Sequence, residues 1–431
     1  MAYVLDSQDA PVMGKDDWKV ISLVGVAHAG SHFFQLIIPS LYVSLGAAFG
    51  LDFAQLGLLV SVFFVVSGLG QASSGFIVDR LGARPVLWFG LACFVASALL
   101  IGAATGYPML LVAAAVGGVG NSVFHPADFS ILNHRVSSGR LGHAFSVHGL
   151  TGSLGWAVAP LFITGLTLLA GWRMAAFGAA ALLAAILLAT LVWGRVLAGE
   201  GNPGASEVAA AGAAAADAAA ASPQASQSGV LQTLTMLLAS PALWGAFLFF
   251  GFTSMALSAI QNYTLPILGE LYQVSAVAAS SALSSYMVAS ACGMLAGGFL
   301  ASANPHTERV VAIAFLSSGV LLVGLATHVI PAVLAIPALA AAGFCSGVAG
   351  PSRDMLIRRV TPRKAMGSVY GLVYSGMDAG AATAPLLFGL MLDGGLRQGP
   401  WIGAGMAFWV AALLAAHIAR IARRNEALAA A

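Results

Sequence analysis

The sequence predicts an all-α membrane protein, with twelve transmembrane helices in two pseudo-symmetric six-helix bundles. Three observations carry that prediction. Of 431 residues, 59% are hydrophobic and only 8% charged, where soluble domains carry about 25% charged residues. So few charges cannot coat a water-facing surface, and lipid must be the solvent. Apolar stretches of about 20 residues, enough to cross a bilayer, recur twelve times. The second six of these repeat landmarks of the first.

Spans are expected near 19–46, 55–78, 85–104, 108–132, 142–168 and 173–194, then 240–266, 276–301, 309–328, 332–357, 367–392 and 401–421. Residues 1–198 would form the N-terminal bundle and 230–431 the C-terminal one. Between them, 199–229 is rich in Ala, Gly, Ser and Pro and offers nothing to bury, which predicts a flexible cytoplasmic linker. The opening "MAYVLDSQDAPVMGKDD" lacks a basic stretch followed by an apolar core, so no cleavable signal is expected. With a cytoplasmic start and an even number of spans, only Arg173 and Arg397 of the 18 Lys and Arg fall outside. That bias fits the positive-inside rule and predicts a multi-pass protein of a bacterial inner membrane with both termini cytoplasmic.

Net charge is +2, so no basic patch points to nucleic acid. Cys93, Cys292 and Cys345 lie far apart inside apolar runs without CxxC spacing. They read as small packing residues, and neither a disulfide, a metal nor a cofactor is expected. No HExxH, no GxxxxGKS/T and no Ser–His–Asp set in a loop argues for an enzyme.

The halves share a register. Pro126 and Pro160 are separated by the same interval as Pro351 and Pro385. In that alignment Gly142 meets Gly367, Gly155 meets Gly380, and Ala-Pro at 159–160 meets Ala-Pro at 384–385. "QLIIP" at 35–39 parallels "NYTLP" at 262–266, setting Gln35 opposite Asn262. Six spans, a linker and six similar spans are the plan of a transporter built from parallel repeats.

"GFIVDRLGARP" at 75–85 resembles the signature loop between the second and third helices of the major facilitator superfamily. Gly75 and Gly82 would permit tight turning. Asp79 would sit near a helix amino terminus, while Arg80 and Arg84 hold the cytoplasmic face. Within that superfamily, 117–160 and "HAGSHFFQ" at 28–35 resemble the fosmidomycin-resistance efflux family. Two departures stand out. Ala127 follows His125-Pro126 where that family commonly has an acid, with Asp128 one place later, and Ser31-His32 replaces a common Asn-Asp. The resemblance implies a cavity lined by helices 1, 4, 7 and 10.

Polar residues inside the spans are the candidate site. Asn121, His125 and Asp128 are spaced i, i+4, i+7 on the fourth span, as are His28, His32 and Gln35 on the first. Neither face suits lipid. His32, nearest mid-depth, is the first choice for a substrate or proton group, since imidazole changes charge near neutral pH. Asp128 has an alternative role as partner of Arg135 or His134, and His125 as donor to a carbonyl. Asp378 lies within the eleventh span, where a carboxylate must be paired, protonated or hydrated; a fixed pair with a histidine or arginine across the halves is its alternative. Asn262, with Gln261 and Tyr263, offers hydrogen bonds near the outer end of the seventh span or glues helices there. Arg353, Asp354 and Glu270 read as interface or gate residues. Pro126 should bend the fourth helix. Gly152, Gly155 and Gly380 let helices approach closely, and Pro160 and Pro385 end those stretches with a bend. The glycine-proline pattern resembles an antiporter motif, with Ala instead of Gly before both prolines.

The expected function is secondary transport of a small organic compound by alternating access, as proton-coupled drug or metabolite efflux. The alternative is proton-coupled uptake of an organic acid, and a non-transporting sensor is a different class. The expected partners are the substrate, protons and the lipid bilayer, with a monomer sufficing.

Overall fold

The computed structural model describes residues 14, 16–197, 241–304, 306–360 and 366–430. The linker expected at 199–229 and the two bundle boundaries beside it lie outside the described residues. Among the described residues there is no strand.

The first pass is broken into α1 (Asp17–Gln35), α2 (Ile37–Ser40) and α3 (Tyr42–Phe49). The second and third are α4 (Phe53–Leu81) and α5 (Ala83–Ala103). The fourth is split into α6 (Tyr107–Ser122) and α7 (Phe124–Arg135). The fifth and sixth are α8 (Leu141–Ala170) and α9 (Trp172–Val192). The second half contributes α10 (Pro241–Tyr272), α11 (Ala276–Ala303), α12 (Thr307–Ala326), α13 (Ala335–Val360), α14 (Met366–Asp393) and α15 (Gly399–Ala430). Among the described residues, ten stretches are individually long and apolar enough to cross a bilayer. The other two passes are the broken first one, which carries four polar groups between His28 and Gln35, and α14, which carries Asp378.

Two breaks have a proline behind them. A proline ring displaces the carbonyl four residues earlier. Pro39 therefore acts on Gln35, where α1 ends, and Pro126 acts on Ser122, where α6 ends. Pro160, Pro266, Pro351 and Pro385 lie inside helices that run on through them. Thus Pro160 and Pro385 do not end their stretches; each is tolerated mid-helix by its packed surroundings. Elsewhere the ends follow local chemistry. Asp52 and Gln55 form a reciprocal capping box at the start of α4. Gly82, at φ 83°, makes the sharp turn into α5.

Packing repeats between the halves. The first pass packs on the fifth and the seventh on the eleventh; the second packs on the fourth and the eighth on the tenth; the third packs on the sixth and the ninth on the twelfth. A single close approach recurs as well. Gly155 presses its Cα against the carbonyl of Ala29 and the amide of Phe33, and Gly380 presses against the carbonyl of Gly251 and the amide of Met255. A side chain at either position would collide with backbone. The bundles meet along two seams, α4 against α14 and α8 against α11. Exchanging the halves turns one seam into the other, so the architecture is pseudo-twofold.

The seam is closed at one end. Call the face holding the start of α1 and the turn at Gly82 the terminal face, and the opposite one the far face. Near the far face, the Asp393 carboxylate accepts hydrogen bonds from the amides of Phe53 (2.9 Å) and Ala54 (2.7 Å) in the other bundle. Tyr42 donates to Asn262 at 3.0 Å, Thr164 meets Ser280 at 2.6 Å, and Ser284 donates to the Ala157 carbonyl at 2.6 Å. Gly57 and Gly389 press on backbone across the seam. On the terminal halves of the seam helices, Gly75, Gly142, Gly149 and Gly298 have nothing within 4 Å of where a Cβ would sit. The cross-seam contacts named above gather toward the far end.

Candidate functional site

The buried polar groups of the first bundle form two stations. The deeper one joins four helices. Asn121 on α6 donates to Ser67 on α4 at 2.7 Å and accepts from Gln35 on α1 at 3.0 Å; Trp156 on α8 donates to Gln35 at 2.9 Å. Gln35 is the last residue of α1 and Asn121 is next to last in α6. The amides thus stitch together two helix breaks that a bilayer would otherwise leave poorly satisfied.

The second station lies one to two turns nearer the terminal face. Asp128 on α7, with no solvent exposure, places Oδ2 3.0 Å from Nε2 of His148 on α8 and 3.2 Å from Nδ1 of His28 on α1. The His28 and His148 rings stack, with centroids 3.5 Å apart. His125 lies 5.5 Å from His28, and His32 fits between His28 (4.4 Å) and Trp156 (4.1 Å). Gly152 makes the room: a Cβ there would come within 2.8 Å of His32 and 2.9 Å of His28. His28 and His148 are buried, whereas His125 is exposed. A carboxylate sealed from solvent is costly without a charged or hydrogen-bonded partner. Two imidazoles from two other helices supply it.

At the terminal face, Asp17 is buried and accepts from the Ser137 amide at 3.3 Å and hydroxyl at 2.5 Å, with Arg140 3.7 Å away. That clamp fixes the start of α1 to the turn after α7.

Comparison with known proteins settles the family. The sequence profile of the Major Facilitator Superfamily matches residues 24–303 and 251–430. The chain belongs to the major facilitator superfamily. It is a transporter, not an enzyme. Among curated relatives, this superfamily member is 30% identical over 166 residues to the fosmidomycin resistance protein of Escherichia coli, covering 36% of the chain and 40% of that protein. It is 27% identical over 170 residues to a probable 4-methylmuconolactone transporter of Cupriavidus pinatubonensis, covering 38% and 39%. It thus spans about two fifths of the length of the curated relatives it matches. A bacterial homologue of the human lysosomal transporter Spinster, solved in an inward-facing and occupied conformation, shares the fold with a TM-score of 0.71 at 15% identity, covering 95% of this chain and 98% of that one.

The fold sorts the transporter's expected site residues into groups. His28, His32, His125 and Asp128 come together, while Gln35 and Asn121 form the neighbouring station. The break at Val123 separates Asn121 from His125 and Asp128, so the expected single face becomes two layers. Asp128 does not pair with Arg135 or His134. Arg135 donates to the Val196 carbonyl at 3.0 Å and His134 contacts its own Ser130 carbonyl at 2.7 Å, both in the last turn of α7, beyond the level of Asp128. Asp378 stands apart, against Gly68 of α4, and no ion pair joins it among the described residues. Asn262 spends its side chain on the seam, accepting from Tyr42 and donating to Ser258. Tyr263 donates to the Pro385 carbonyl. Glu270 sits 3.6 Å from Arg397 on the far face.

In the signature loop, Gly82 turns the chain as expected, but Gly75 lies within continuous α4 and Asp79 in the last turn of α4 rather than at an amino terminus, because that helix runs to Leu81. Arg84 stacks over Trp88 at 4.9 Å. Sequence reasoning missed His148 and Trp156. Both share one face of α8 with Gly152 at i, i+4, i+8, the same test that found the residues of α1. It also predicted no metal-ligating set. One ring nitrogen each of His28, His125 and His148 nonetheless lie within 4.8 Å of one another, since three helices distant in sequence converge there.

Proposed function

We propose that this transporter exports a small organic compound, anionic or amphiphilic, in exchange for protons, and that the histidine–aspartate cluster is the coupling site. The observation that carries the reading is Asp128, sealed from solvent between His28 and His148 at 3.2 and 3.0 Å. One proton added to or removed from this set converts an ionic contact into a neutral one. That changes the attraction holding α1, α7 and α8 together, and α8 is also a seam helix.

The seam geometry supports alternating access. The cross-seam contacts gathered near the far face correspond to one end of a rocking cycle of one bundle against the other. In this reading the terminal face is the cytoplasmic side of a bacterial inner membrane, and the protein acts as a monomer. Exposed His125 receives protons or substrate from the cleft. Likeness to a fosmidomycin resistance protein favours export, and likeness to a probable 4-methylmuconolactone transporter favours an acidic or lactone cargo. Uptake of such a cargo with protons is the opposite outcome of the same test.

The test is movement of fosmidomycin and a panel of organic acids in vesicles of purified protein under an imposed pH gradient. Wild type should move at least one compound against the proton flow, and His148→Gln should lose the response to the gradient while remaining folded. Movement with the proton flow would replace export by uptake. An undiminished gradient response in His148→Gln would remove the cluster from coupling.

A further inference from the structure

We infer that the same cluster is a binding site for a first-row divalent cation of the zinc type, held by His28, His125 and His148 with Asp128 as fourth ligand. This does not rest on the transport reading, since binding is measured on protein at rest.

The donor set comes first. Three imidazoles and one carboxylate are the ligands zinc and its neighbours favour, whereas magnesium and calcium demand oxygen shells. Zinc–nitrogen bonds of about 2.0 Å in a tetrahedron put ligand atoms about 3.3 Å apart. Asp128 Oδ2 is already 3.0 Å from His148 Nε2 and 3.2 Å from His28 Nδ1. The ring nitrogens of His28, His125 and His148 lie within 4.8 Å of one another. Closing the set requires the stacked His28 and His148 rings to swing apart so that each turns a nitrogen to the ion, and His125, the exposed member, to turn in beside them.

A second observation points to a ligand. His28 Nδ1 and Asp128 Oδ1 are sealed from solvent and make no hydrogen bond. His28 Nδ1 is 3.2 Å from Asp128 Oδ2 without a hydrogen bond between them. Buried polar atoms are ordinarily hydrogen-bonded, so atoms left without a hydrogen bond on converging donors are a cation's coordination sphere in waiting. Access exists as well. His125 is exposed, and Gly149, beside His148 on α8, borders open space. Histidines away from the cluster provide the control: His143 is exposed on the same helix as His148, one turn and a half toward the terminal face.

Cobalt(II) titration of the purified full chain in detergent tests the site, because four-coordinate cobalt absorbs far more strongly in the visible than six-coordinate cobalt. The expected result is one equivalent bound with the intense four-coordinate spectrum, displaced by zinc. His125→Ala and His148→Gln should each weaken binding by about tenfold or more, and His143→Ala should leave it unchanged. X-ray absorption of the zinc-loaded wild type should show imidazole scattering, which needs no variant to fold. No saturable binding up to about 1 mM, a range in which a three-histidine site would be filled, would overturn the proposal. So would a six-coordinate spectrum indifferent to both cluster substitutions.

Discussion

The two bundles share their contacts but not their chemistry. Gly155 and Gly380 make the same close approach to the same kind of backbone, and the helix pairs that pack in one half pack in the other. Yet the first bundle breaks two of its six passes and gathers four histidines and an aspartate around the break. The matching seventh and tenth passes run unbroken through Pro266 and Pro351. There the intramembrane carboxylate Asp378 lies on the seam without an ion pair among the described residues, and Arg353 lies over Phe250 at 4.9 Å. The lesson is that backbone packing and polar chemistry vary independently: the repeat preserves where helices touch, while the histidine–aspartate cluster is built in the first half.

The largest effect should separate the two aspartates. Asp128→Ala strips two buried imidazoles of their partner and should cost about 3 kcal/mol, the scale of breaking a buried pair, read as a fall in thermal midpoint in detergent. Asp378→Asn removes from a low-dielectric seam a carboxylate that has no ion pair among the described residues, and should hold or raise the midpoint. Equal losses at both sites would break the contrast between the bundles.

Next come the paired glycines. Gly155→Val and Gly380→Val each drive a side chain into backbone and should destabilise by about 1–3 kcal/mol. Matched losses would sharpen the pseudo-symmetry, and a loss confined to one bundle would refute it. The smallest effect concerns the joint between the halves. Asp393→Ala removes the carboxylate that caps α4 from the other bundle, an interaction of about 1 kcal/mol. Thiol labelling of Leu265→Cys, which lines a crevice of about 550 Å³ on the far face, should then speed up about fivefold in a background lacking the three native cysteines. An unaltered rate would show that Asp393 does not hold that face shut.

Much of the architecture was legible because lipid imposes length and apolarity on every pass. The positions of Pro39 and Pro126 lie in the sequence, but that these two break a helix while Pro160, Pro266, Pro351 and Pro385 do not was not legible from proline alone. His148 was missed despite its helical spacing with Trp156, because its neighbouring glycines drew the reading toward packing. Asp128 was readable as a buried acid but not as the partner of His28 and His148, which are distant in sequence on two other helices.

By itself, then, the sequence determined the solvent, the number of passes, the repeat and the types of polar residue available, because hydropathy and spacing act along the chain. Only the tertiary structure decided which of those residues meet. Helix packing set the polar face of α1 against α6, α7 and α8, joining Gln35 to Asn121 and His28 to Asp128, while α14 carried Asp378 to a different seam. Such meetings depend on helix rotation and on the space that Gly152 leaves, and neither is written in local periodicity.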